Sequence, residues 1–249
     1  PVADIQPAPT VTALGAVAAP SYVDEAVAIG GQTIVARGFV EADTGLTFPK
    51  REIALDLGKY PDEWSFPAEA FRRQDENDDG DFYAQPRLVY HVDEGAVRAL
   101  TNYYKETVAR GSAVLDICSS WVSHYPADWP STMARIAGTG MNAHELGANA
   151  QLGEFTAVDL NVQPTLPYAD ASFDAVTCVV SVDYLTKPRE VFREVRRVLR
   201  PGGRFVLSQS NRCFPSKAIA MWLRMDDAAH LELIGAYFKY SSATDARWS

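Results

Sequence analysis

Between Ala113 and Ser208 short apolar runs alternate with segments of helical period, and that alternation leaves few folds open to the chain. Ala113–Ile117 and residues 136–141, 155–158, 173–180 and 204–208 read as strands. The run 173–180 is nearly all apolar, as a strand buried on both faces must be. Between the strands, residues 129–135 and 143–150 read as short helices, the second capped by Asn142. Residues 188–200 form a stronger helix, with Val191, Phe192, Val195, Val198 and Leu199 on one face. Pro201-Gly202-Gly203 stops it. Alternation with short connections predicts an α/β fold: a Rossmann-like, doubly wound, mostly parallel sheet with right-handed crossovers. In such a sheet the ligand lies beyond the carboxyl ends of the strands. The segments to watch are therefore 117–126, 141–145, 159–161 and 181–185.

The rest of the chain is built around that unit. With 249 residues, 47% of them hydrophobic, there is enough for one sizeable core with extensions. Residues 1–20 read as a flexible Ala/Pro arm, 21–92 as an N-terminal extension or cap, 93–240 as the main domain and 241–249 as a polar tail. Within the extension, 32–40 is rich in β-formers and 66–74 suits a short helix. The main domain opens with a helix over 93–110, capped by Asp93 and stopped by Gly111. It closes with helices expected over 215–224 and 226–240. A net charge of −9 argues against nucleic acid as a partner, since phosphate recognition needs a basic face. There is no apolar run of membrane-spanning length. Cys118, Cys178 and Cys213 are far apart and show no paired spacing, which suggests a reducing compartment and no metal centre. The chain begins at Pro1, with a composition left either by removal of a targeting peptide or by a cloning boundary. The first reading leads one to expect a soluble or peripheral protein of a plastid or mitochondrion.

Residues 75–81 are acidic, and Asp75, Asn77, Asp79 and Gly80 match the start of a calcium-binding loop. The twelfth position, which should supply a bidentate Glu, is Pro86. A solvated acidic turn is the preferred reading.

The stretch Leu166-Pro167-Tyr168-Ala169-Asp170-Ala171-Ser172-Phe173-Asp174-Ala175-Val176 is followed by the helix 191–200 and by Pro201-Gly202-Gly203-Arg204-Phe205. This combination and its spacing resemble the class I methyltransferases that use S-adenosylmethionine, in particular the type 11 methyltransferase domain, over roughly residues 87–210. The resemblance implies where the cofactor contacts fall. Asp116 matches the acid that opens the first loop, and Cys118-Ser119-Ser120 stands where the family has glycines. Asn142 stands near the position of the ribose-binding acid, and no acid follows until Glu145. Asp159-Leu160-Asn161 matches the adenine position, and Ser181 belongs to the loop that meets cofactor and substrate. For an oxygen acceptor, His124, Asp183 and Tyr184 are the candidate bases, and Trp121 could shield the site. By analogy, residues 82–83, 90–91 and 212–222 wall an acceptor pocket.

Plainer roles stand beside these. Ser119 and Ser120 could cap a helix, His124 and Trp121 could be packing residues, and Cys118 and Cys178 suit small packed positions. Two functions from different classes follow. One is methyl transfer from S-adenosylmethionine to a small-molecule acceptor. The other is a catalytically silent methyltransferase fold serving as a structural subunit of a larger, organellar assembly. The glycine-free loop, the missing ribose acid and the missing last two strands of the family sheet support the second, while methyl transfer is the preferred reading. An edge left open beside residues 204–208 would need the chain's own 32–40 segment or a protein partner to cover it.

Overall fold

The computed structural model describes residues 22–24, 33–38, 51–56, 59–210 and 212–241, the first three stretches as backbone. Five parallel strands form the centre: β4 (Ala113–Ile117), β5 (Arg135–Gly140), β6 (Glu154–Ala157), β7 (Phe173–Val179) and β8 (Leu199–Ser208), in the spatial order β6-β5-β4-β7-β8. The chain winds outward from β4 to β6, then crosses back to β7 on the other side of β4. The resulting crevice lies beyond the carboxyl ends of β4 and β7.

Alternation within the strands sorts the core into two layers. Leu115, Ile117, Val176, Cys178, Phe205 and Leu207 pack with Val191, Phe192, Val195 and Val198 of α5 (Pro188–Val198) and with Leu231, Ile234, Tyr237 and Phe238 of α6 (Asp227–Ser241). Val114, Ile136, Ala175 and Val206 point the other way, onto Leu100, Tyr103 and Tyr104 of α2 (Glu94–Thr107) and onto Trp129. Both faces are therefore covered, and β4 is buried along its whole length. Helix α2 starts where the Asp93 carboxylate accepts the Ala96 N–H.

Two expectations need correction. Residues 215–224 do not form a helix; a single 3₁₀ turn spans Trp222–Arg224. Their amides are used elsewhere: Ala220 N–H donates to Arg72 O, Met221 N–H to Ala70 O and Ile219 N–H to Asp183 O. The same cross-bonding limits 66–74 to one 3₁₀ turn, Ala68–Phe71. These two segments thus zip together over the carboxyl end of the sheet.

The edge at β8 is covered. β1 (Tyr22–Asp24) pairs with it antiparallel, Tyr22 against Ser208, and β2 (Thr33–Gly38) and β3 (Arg51–Asp56) continue the sheet. The expected strand at 32–40 is β2, but the direct cover is β1, for which the sequence offered no pattern. The arm 1–20 and the tail 242–249 lie outside the described residues. Among the described residues no helix is long and apolar enough to cross a membrane.

Candidate active site

Asp116 sits at the end of β4 between Gly138 of β5 and Thr177 of β7. Its carboxylate accepts the Ser119 hydroxyl at 2.6 Å and the Thr177 hydroxyl at 2.9 Å. Burial pushes the carboxyl up to about 6, against the opposing pull of the Ser119, Ser123 and Thr177 hydroxyls. The following loop is pinned from the end of α4 (Ala143–Ala148). Asn149 Nδ2 donates to Ser120 O and to Ser123 Oγ, both at 2.9 Å, and Gln151 bonds the backbone of Ser123 and Tyr125. Asp116 therefore organises the loop from within.

A loop without glycine reaches its shape in another way. Cys118 itself adopts a left-handed backbone, φ 52°, the conformation glycine would supply at no cost. His124 (φ 58°) and Val180 (φ 39°) do the same, and all three line one cavity. Left-handed φ on a Cβ-bearing residue costs of order 1–3 kcal/mol and clusters where function demands it. The close approach that glycine permits has moved to the neighbouring strand. A Cβ on Gly140, at the end of β5, would lie 2.0 Å from the Ser119 carbonyl oxygen.

The cavity, about 160 Å³, gathers the loops after β4, β5, β6 and β7. Asp116, Cys118, Ser119, Ser120, His124, Asn142, Asp159, Leu160, Asn161, Ser181 and Tyr184 all line it. Asp183 is not among the lining residues, although it precedes Tyr184. It is buried, burial pushes its carboxyl up to about 8, and it is therefore protonated at neutral pH. Tyr184 accepts the Phe214 N–H at 2.8 Å, which ties the segment after β8 to the site. Asn142 spends its side chain on structure: Oδ1 caps α4 and Nδ2 donates to Tyr83 O at 2.7 Å. Asp159 Oδ1 accepts the Asn161 N–H, and Asn161 in turn bonds Tyr184 O and Thr186 N–H.

Among the cavity residues that the sequence reading does not assign to the site are Glu145 and Arg87. Glu145 lies one turn into α4; its carboxylate accepts the Ser120 hydroxyl and the Arg87 N–H, each at 2.6 Å. The signal was its place on the first turn of a helix capped by Asn142, which aims it back toward the loop after β4. Arg87 belongs to a cap formed by residues 79–92, from which Tyr83, Val89 and His91 also reach the cavity. Trp121 Nε1 donates to Val89 O, and the Tyr90 ring lies against Trp121 and His124.

Residues 129–207 match the family model described as a methyltransferase domain. The chain is 29% identical over 136 residues to "Methyltransferase GfsG" of Streptomyces halstedii, covering 51% of this chain and 48% of that one. It is 30% identical over 145 residues to "Demethylmenaquinone methyltransferase" of Listeria monocytogenes, covering 53% and 54%. The chain thus spans about half the length of these curated relatives. Among solved structures, the YcgJ protein of Bacillus subtilis shares 24% identity, with a TM-score of 0.38 and coverage of 44% and 49%. Over residues 129–207 the chain is similar to methyltransferase domains, and these curated relatives are themselves named methyltransferases. The cofactor that goes with such a domain is S-adenosylmethionine.

The residues present fit that group. A carboxylate, Glu145, stands after β5, and the apolar Leu160 and the Asp159 carboxylate stand after β6. The left-handed Cys118 gives the first loop the backbone path glycine would take. A buried ring nitrogen on the cavity wall, His124 Nδ1, has no partner of its own.

Proposed function

We propose that this cavity binds S-adenosylmethionine and transfers its methyl group to a small molecule. The observation that carries the reading is the convergence of the loops after β4, β5, β6 and β7 on one cavity whose wall holds Cys118, His124 and Val180 in left-handed backbone. In this reading Asp116 and Cys118-Ser119-Ser120 hold the amino-acid end, Glu145 the ribose hydroxyls, and Asp159-Leu160-Asn161 the adenine, with Asn142 holding Glu145 in place. Ser181 completes the wall beside the acceptor.

When bound, the cofactor supplies a methyl group already activated on a sulfonium. The protein must then align a nucleophile and exclude water. Trp121 and Val89 line one side of the cavity, and Tyr90 packs against Trp121 and His124. His124 is held down to about 4 by burial and by nearby His91, so it is neutral at physiological pH. Its unpartnered Nδ1 is the group best placed to take a proton from a hydroxyl acceptor. Tyr184 positions Phe214 in this scheme, and protonated Asp183 is no base at neutral pH. The silent-scaffold alternative loses weight: Glu145 offers the missing acid, Cys118 takes the glycine conformation, and β1 covers the edge at β8.

Calorimetry with S-adenosylhomocysteine tests the reading. Binding is expected, and Glu145→Gln should weaken it by about tenfold, since charge-assisted hydrogen bonds to the hydroxyls would be lost. No heat and no thermal stabilisation at millimolar ligand would sink the proposal. His124→Asn should lower kcat by about 10²-fold with unchanged S-adenosylhomocysteine affinity. With His124 deprotonated throughout, the wild-type rate should show no limb from this group between about pH 6 and 8. A proton-dependent limb near neutrality that disappears in His124→Asn would contradict the assignment.

A further inference from the structure

The cavity's charges do not balance in the way its geometry suggests at first sight. Its carboxylates are committed. Asp116 is held by hydroxyls, Asp159 by backbone N–H groups, Glu145 by Ser120 and the Arg87 backbone, and Asp79 by Arg73 and Lys217. Its two arginines are not. Arg87 and Arg212 are half-buried, line the cavity, and make no ion pair among the described residues. Arg87 donates from Nη2 to Phe82 O at 2.9 Å and Arg212 from Nη1 to His91 O at 3.4 Å. Arg87 Nη1 and Arg212 Nε are buried without any partner. Other arginines withdrawn from solvent in this protein, Arg73 and Arg197, are paired with carboxylates. A half-buried cation without a counter-ion is costly, and that cost is relieved when a ligand brings the anion.

The two groups are also close to each other. Arg212 bonds the backbone of His91, and Arg87 lies over the Phe214 ring that packs against the His91 imidazole. Burial, Arg87 and Arg212 together hold His91 below its usual range, with Glu145 opposing, so it adds no third positive charge at neutral pH. Stacking over Phe82 and Phe214, at 4.6 and 5.4 Å, fixes the plane of the Arg87 guanidinium. The walls between the arginines and the loop after β4 are aromatic or apolar: Tyr83, Val89, Trp121 and Phe214.

We propose that Arg87 and Arg212 form a carboxylate-binding subsite, and that the methyl acceptor is an aromatic carboxylate that also bears the nucleophile. The planar guanidinium fork matches a carboxylate, and the aromatic walls match a ring. This rests on the methyl-transfer reading. The other carboxylate of the same chemistry is the cofactor's own. The acceptor is favoured because both arginines come from segments outside the loops after β4, β5 and β6: Arg87 from the cap before α2, and Arg212 from the chain after β8.

Calorimetry on the S-adenosylhomocysteine-saturated protein tests it, with 4-hydroxybenzoate and the neutral 4-hydroxybenzamide as probes. The acid is expected to bind at least about tenfold more tightly than the amide. Arg212→Gln and Arg87→Gln should remove that preference and leave S-adenosylhomocysteine affinity within about twofold. Equal binding of acid and amide to the wild type overturns the proposal without any variant. Arginine variants that weaken S-adenosylhomocysteine and spare the acid–amide ratio overturn it too, and reassign the arginines to the cofactor carboxylate. If S-adenosylhomocysteine does not bind at all, the methyl-transfer reading fails. The acid–amide comparison on the protein alone then still decides whether the subsite exists.

Discussion

Gly140→Ala is expected to abolish cofactor binding and to destabilise the protein by about 3 kcal/mol, the upper end for an overpacked core. The new methyl carbon would sit 2.0 Å from the Ser119 carbonyl oxygen, and 3.0 Å from its carbon. Both contacts are with backbone, so no side-chain rotation relieves them. Either β5 must move away from the loop or the loop must lift off the sheet. Lifting the loop breaks the 2.6 Å bond from Ser119 N–H to Thr139 O and draws the Ser119 hydroxyl away from Asp116. The same shift displaces Cys118, whose left-handed φ depends on that anchoring. Gly147→Ala is the matched control. Its Cβ would meet nothing closer than the Phe155 ring at 3.6 Å, inside α4, and helix propensity predicts a gain of up to about 1 kcal/mol. Urea unfolding with S-adenosylhomocysteine calorimetry on both variants decides the matter. Wild-type stability and affinity in Gly140→Ala would refute the idea that the glycine requirement has moved from the loop to the strand.

That relocation explains why the sheet was easier to read than the site. The strands β4 and β7 are legible as short, mostly apolar runs, and α2 and α5 through one-sided apolar spacing and their stops at Gly111 and 201–203. Such signals are local. The glycine missing after Ile117 seemed a loss because sequence shows only neighbours along the chain. Its counterpart, Gly140, is adjacent across the sheet. Glu145 is inconspicuous in the sequence for a similar reason: it lies on a helix, three residues beyond Asn142, and the backward tilt of helical side chains returns it to the cavity. Most of the assigned lining residues come together because strand ends in a parallel sheet must converge. Asp183 does not join them, since the 3₁₀ turn Val182–Tyr184 turns adjacent side chains in different directions. The failed helix over 215–224 and the cover at β8 share one cause. Both depend on pairing with segments more than a hundred residues away, and such pairing leaves no periodicity in either partner.

The acidic stretch 75–81 carries the second large effect. Its oxygen atoms surround a cation supplied by the chain itself. Lys217 is fully buried, and its ammonium lies 3.1 Å from Asp75 Oδ2, 3.0 Å from Asp79 Oδ1 and 2.9 Å from Asn77 O. Arg73 completes the neutralisation of Asp79 at 2.6 Å. Among the described residues no cluster of carboxylate, His and Cys side chains suits a metal ion. Lys217→Met is expected to cost about 3 kcal/mol, the lower end for breaking a buried pair, because it removes one of the two cations on buried Asp79 and the ammonium donor of Asp75 and the Asn77 carbonyl. At about 2–4 °C per kcal/mol, Tm should fall by about 10 °C. The pH dependence gives the mechanism. For Asp75, backbone and side-chain hydrogen bonds from Asn77 and Lys217 lower the carboxyl. For Asp79, burial pushes upward, but hydrogen bonds from Arg73, Asn161 and Lys217 more than reverse it. Folded values below the unfolded ones mean stability that is present above about pH 4 and lost as pH falls through the lowered values. The gap between wild type and Lys217→Met should therefore be widest near neutrality and close in acid. Asp79 also accepts Asn161 Nδ2, which in turn donates to Tyr184 O, so the loops after β6 and β7 are tied to this ion cluster. S-adenosylhomocysteine binding should weaken in the variant along with stability. A gap that stays constant from pH 7 down to about pH 3 would show that Lys217 contributes packing alone.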